Sequence, residues 1–149
     1  MSRHRLIKNF LVLSALFLSI QSFPQRTYSY QPPQSEYGKA LELYNNGKYG
    51  SALEMFDKLA GGEKSNLQAG SSYYAALCAA QLFHPDATRR LEQFIKCYPQ
   101  NAQVNNAYFE LGKQYFQNKD YRKTLDTFKE LDIYDLGNDQ LMEYFFKTG

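Results

Sequence analysis

The sequence predicts an all-α fold built from repeated helix-turn-helix hairpins, and three observations carry that prediction. Small residues recur at Ala40, Ala75, Gly112 and Gly149, at spacings of 35, 37 and 37, while a second small position recurs at Ala52, Ala87 and Thr124, at spacings of 35 and 37. Apolar residues keep helical periodicity around these landmarks, as Tyr108, Leu111 and Tyr115 do at i, i+3 and i+7. Turn-forming stretches separate the periodic ones: Asn45-Asn46-Gly47, Phe83-His84-Pro85-Asp86 and Asn118-Lys119-Asp120. Two landmarks that move together specify a repeat much better than one.

Residues 108–131 show the unit most fully. Gly112 has no side chain, so a second helix can cross close to the first. Leu125, Phe128 and Leu131 form the matching stripe on that second helix. Asn118 suits the left-handed residue that ends the first helix, and Asp120 can cap the second. The run Tyr108-x2-Leu111-Gly112-x2-Tyr115, followed by Thr124-x3-Phe128-x2-Leu131, resembles the tetratricopeptide repeat pattern W-x2-L-G-x2-Y…A-x3-F, with Tyr in place of Trp. The resemblance covers roughly residues 35–149. It implies a right-handed superhelix of three complete repeats and the start of a fourth.

In chain order, residues 1–22 combine a basic start (Arg3, Arg5, Lys8), an apolar run from Phe10 to Ile20, and Ser22 ahead of Phe23-Pro24. This reads as a secretory signal peptide; the alternative is an uncleaved signal anchor. The 11-residue apolar run is shorter than the ~20 residues a membrane span needs, and no cysteine stands near the cleavage region to carry a lipid. The mature chain is therefore expected to be exported, periplasmic or otherwise, with no membrane span. Residues 23–34, rich in Pro and Gln, read as an extended tether. Repeat one follows, with Tyr37, Ala40, Leu41 and Tyr44 on its first helix and Tyr49, Ala52, Leu53 and Phe56 on its second; Gly47 suits a left-handed cap between them. Gly61 to Ser65 form a loop, with Ser65 or Asn66 a candidate cap for the next helix. Repeat two is rich in small residues from Ala69 to Ala80 and ends at Pro99. Repeat three starts near Asn105, and an irregular stretch, 132–138, precedes a last helix carrying Tyr144, Phe145 and Phe146. Solenoids normally close on a polar helix. The sequence is therefore expected to be the front part of a longer or interrupted reading frame, with those aromatics uncovered and prone to self-association.

Composition narrows the function. The chain has 149 residues, 44% apolar and 16% aromatic, enough for one domain with a buried core. Removing Arg3, Arg5 and Lys8 from the 17 basic residues leaves 14 against 15 acidic ones, a balance that argues against nucleic acid or an anionic membrane as partner. Cys78 and Cys97 fit no metal or CxxC spacing, and the hairpin register puts them at opposite ends of repeat two, so both are read as packed thiols rather than a disulfide. His4 and His84 are the two histidines, too few for a Ser/His/Asp or His-rich metal site. Asp132, Asp135, Asn138 and Asp139 lack the spacing of a calcium loop, because Tyr134 and Leu136 interrupt it. No cofactor is expected, and no enzyme.

The resemblance implies a partner-binding surface on the inner face of the superhelix. Carried onto this sequence, its positions are Gln34, Tyr37, Leu41, Tyr44 and Asn45; Ala69, Ser72, Ala76, Ala79 and Ala80; and Asn106, Phe109, Lys113, Phe116 and Gln117. Tyr37, Leu41, Tyr44, Ser72, Ala76, Phe109, Lys113 and Phe116 form the candidate groove, an aromatic-flanked lining with Lys113 as its charge. The surface either binds a protein or peptide, or packs against following repeats or the tether. With the export signal, the chain is similar to periplasmic tetratricopeptide-repeat proteins of the bacterial cell envelope. Two functions follow: a non-catalytic protein-protein interaction scaffold, or the N-terminal recruiting module of an envelope enzyme.

Overall fold

The computed structural model describes residues 33–62 and 66–149, so the expectations for residues 1–22, for most of the tether and for Ser65 lie outside the described residues. Among the described residues seven α-helices follow one another: α1 (Pro33–Asn45), α2 (Tyr49–Ala60), α3 (Gln68–Gln81), α4 (Ala87–Cys97), α5 (Val104–Gln117), α6 (Tyr121–Phe128) and α7 (Asn138–Thr148), with a 3-10 turn at Ile133–Asp135. Among the described residues there is no strand. From α1 to α6 each helix packs on its neighbours in sequence, and α5 also touches α3 and α7. The helix α1 starts at Pro33, inside the stretch read as tether; proline suits the first turn of a helix, where its missing N–H costs nothing.

The small positions mark where paired helices cross. Ala40, Ala52, Ala75, Ala87 and Thr124 are all buried, and the Thr124 hydroxyl satisfies itself on the Asp120 carbonyl at 3.1 Å. Gly112 is the tightest crossing. A methyl group built there would lie 2.1 Å from the ring of Phe128, whose edge occupies that space.

The turns follow the expected chemistry with two shifts. Gly47 closes α1 at φ +71°, as a left-handed cap. In the α5–α6 turn the left-handed residue is Lys119, φ +61°, and not Asn118, while Asp120 caps α6 by accepting from the Lys123 N–H at 3.2 Å. Leu67, not Asn66, stands at the start of α3. The helix α6 stops at Phe128, short of Leu131 in the expected stripe, and Leu125 within it is exposed. Leu131 is buried all the same, because the irregular stretch folds back: Asn105 donates to the Asp132 carbonyl and accepts from its N–H, both at 2.9 Å, and Leu131 and Leu136 cover Phe109 and Phe128. Cys78 is buried and Cys97 exposed, so only the first is a packed thiol; burial and then Asp57 push its pKa up to about 11, which keeps it neutral and inert.

The first two hairpins are joined by Tyr74. Its ring stacks on Phe56 at 5.3 Å and meets Tyr44, Tyr73 and Tyr37 edge-on at 5.2, 5.2 and 6.4 Å. On another face Arg90 of α4 grips Asp57 of α2 through two bonds, 2.6 and 3.1 Å, and Asp86 through its Nε at 2.7 Å. Burial alone would raise the Asp86 pKa; hydrogen bonds from Arg90 and His84 outweigh it and hold the carboxyl below its usual range.

Two outcomes follow from these contacts. Alanine in a helix interior is ordinarily more stable than glycine by about 1 kcal/mol, yet Gly112→Ala should lower stability by about 2 kcal/mol in urea unfolding, because the methyl displaces Phe128. A depressed carboxyl stabilises the fold above its unfolded pKa and loses that contribution as pH falls through the folded value. The stability gap between the parent chain and Asp86→Asn should therefore be full at pH 6 and shrink below pH ~4.

Candidate interaction surface

The first helices of the hairpins, α1, α3 and α5, carry the candidate residues, and a polar ladder links α3 and α5 to α7. The amide of Asn106 on α5 donates to the Tyr73 hydroxyl on α3, and its carbonyl accepts from Gln140 of α7 at 2.7 Å. Burial pushes the Tyr73 hydroxyl up to about 12, against the opposing effect of its Asn106 bond, so it is neutral throughout the physiological range.

The candidate residues divide into three environments. Tyr37, Leu41 and Tyr44 are half-buried in the core of hairpin one. Tyr37 lies edge-on to Phe56 at 5.7 Å, and its hydroxyl occupies the space a side chain at Gly70 of α3 would need. Tyr44 sits edge-on between Tyr49 and Tyr74, at 5.4 and 5.2 Å, and burial raises its pKa well above the usual tyrosine value. Ser72 is half-buried at a separate cleft between α2, α3 and α4.

Phe109, Lys113 and Phe116 form the third group, on α5 facing α7. Lys113 bonds Glu110 at 3.1 Å and approaches Glu143 at 3.9 Å, while Lys147 pairs with Glu143 at 3.0 Å. Lys147 also lies 4.5 Å over the Phe116 ring, whose other neighbour is Tyr121 at 5.4 Å. The expected single charge is thus one of four that balance.

Two members of the candidate groove are corrected. Ala76 is fully buried and Phe109 is 1% exposed, so neither offers surface to a partner. Phe109 stacks on Phe128 at 6.0 Å and is covered from the next repeat by Leu136 and Tyr144. Tyr144 itself is half-buried against Phe128, whereas Phe145 and Phe146 are 59% and 78% exposed. The ladder of Tyr73, Asn106 and Gln140 was not anticipated; spacings of 33 and 34 residues hint at it only once the register is known.

Among the described residues no group of three or more His, Cys, Asp or Glu side chains is arranged to hold a metal, and no helix is long and apolar enough to cross a membrane. Comparison of the sequence with protein-family models and with curated proteins gives no match.

Tyr44, a member of the candidate groove, packs between Tyr49 and Tyr74, so its removal should act on stability. Tyr44→Ala should cost about 2 kcal/mol, part of the usual penalty for deleting a buried ring, with a melting temperature several degrees lower in a thermal scan.

Proposed function

We propose that this chain is an exported, non-catalytic scaffold of the bacterial cell envelope, built from tetratricopeptide-type hairpins, that holds partner proteins on the side formed by its first helices. The carrying observation is that α3, α5 and α7 are tied side by side through Tyr73, Asn106 and Gln140, which gives successive repeats one connected surface. Leu41 on α1 and Phe116 on α5 remain partly exposed, and Asn45 and Gln117 are exposed beside them. Partly exposed apolar side chains on a rigid helical frame suit a protein partner better than a small polar substrate. The near-neutral balance of the chain after residue 22 favours the same class over nucleic acid. Export rests on the basic start and short apolar run of residues 1–22.

A photo-crosslinking amino acid at Leu41 or Phe116, with Glu54 on the opposite helix as control, tests both halves in living cells. Mass spectrometry of the recovered chain should find residues 1–22 missing and the same one or few envelope proteins attached at both positions but not at Glu54. An intact N-terminus would sink the export half. Equal labelling from Glu54 would sink the choice of surface.

A further inference from the structure

Each hairpin turn places one residue in the left-handed region: Gly47 at φ +71°, Phe83 at +54° and Lys119 at +61°, 36 residues apart in each case. The backbone there is the same in all three. The N–H of that residue donates to the carbonyl three places before it, at 2.9, 3.1 and 3.0 Å, and the following N–H reaches five places back, at 2.9 Å. Glycine meets this conformation without strain, whereas a bulky side chain adopts it at a cost. Phe83 is 78% exposed, so burial of its ring does little to offset that cost. Beside this turn, between it and the end of α5, opens a cleft of about 560 Å3, a volume within the range of sites that hold a ligand. Gln114 of α5 lines it. That residue is 8% exposed, and among the described residues no hydrogen bond reaches its side-chain amide. A buried amide without a partner is destabilising, and a ligand that pairs with it removes the penalty.

We propose that this cleft binds an extended peptide segment of a partner protein, which pairs one backbone amide with the Gln114 side chain and rests an apolar side chain against Phe83. It rests on the reading that the partner is a protein, and places one contact of that partner at the α3–α4 turn. The chemistry of the lining points to a neutral ligand with a donor and an acceptor side by side. A glutamine amide offers both, in the arrangement that a backbone N–H and C=O complement. Gln117, Asn118 and Thr88 add further uncharged polar groups around it. His84, the titratable side chain of the lining, is held by the Asp86 carboxylate at 2.6 Å, so the cleft has no free charge to select an ion. Phe83 and Pro85 supply the apolar contact that a small polar solute would leave unused.

The full chain is titrated with the tripeptide acetyl-Ala-Leu-Ala-amide, with the same peptide N-methylated along its backbone, and with maltotriose, and amide shifts are followed by NMR. Saturable shifts at Thr88, Gln114 and Asn118 are expected with the first probe, at a dissociation constant on the order of 1 mM for so small a ligand. Binding should be at least about ten-fold weaker for the N-methylated peptide, which lacks the donors, and for the sugar. Gln114→Leu, of similar size and with no amide to satisfy, should abolish the shifts and melt no lower than the parent chain. Phe83→Gly should weaken binding at least about five-fold, and it too should melt no lower, since glycine relieves the left-handed strain. No saturable shift with the tripeptide, an equal response to either other probe, or a variant that binds as the parent does would each overturn the proposal. So would a lower melting temperature in either variant, which would make that side chain a packing residue. Crosslinking from Leu41 and Phe116 would stand unchanged in that event, so failure here is distinct from failure of the scaffold reading.

Discussion

The edge of the Phe128 ring against the bare backbone of Gly112 is the contact on which the third hairpin depends. It sets how closely α5 and α6 approach, and so where Phe109 can stack and where Leu131 and Leu136 can close over both rings. In the first two hairpins Ala40 and Ala75 do the same task with one methyl each, and Ala52 and Ala87 answer them from the second helix. Close crossing of this kind brings side chains on either side of the contact into mutual burial, at a gain of roughly 25 cal/mol for each Å2 of apolar surface removed from water.

Between hairpins the joints differ in chemistry. Tyr74 carries the first joint by stacking on Phe56 and meeting three further rings, and such pairs add to the area they bury. The second joint is aliphatic and aromatic together, with Leu77, Leu91, Phe94, Ala107, Leu111 and Tyr115 in one cluster. The third, from α5 to α7, is partly ionic: Glu110, Lys113, Glu143 and Lys147 alternate in sign while Lys147 caps the Phe116 ring. Charges with only 11% to 35% of their side chains exposed are held by one another and by the rings beneath them, which fixes register more than it adds stability.

Much of the fold was legible in the sequence because its signals are local. Residue size at Gly112, the left-handed turn at Gly47 and the cap at Asp120 depend on neighbours a few residues away. The candidate surface was less legible. Periodicity states the side of its own helix on which Phe109 or Ala76 lies, but not whether the next hairpin covers that side, and for both residues it does. Leu125 errs the other way: the stripe on α6 predicted burial, yet that helix ends at Phe128 and its outward side remains open.

From α1 to α6 each helix meets chiefly the helices next to it in the chain, and α5 reaches only one hairpin further, to α3 and α7. Every loop that folding must close is therefore short, and loop-closure entropy grows only with the logarithm of length. Chains of such low contact order order themselves quickly and from any sufficiently sticky joint, rather than from one obligatory long-range nucleus. The Tyr74 joint, richest in rings, is the natural starting point, and order would spread outward from it one helix at a time.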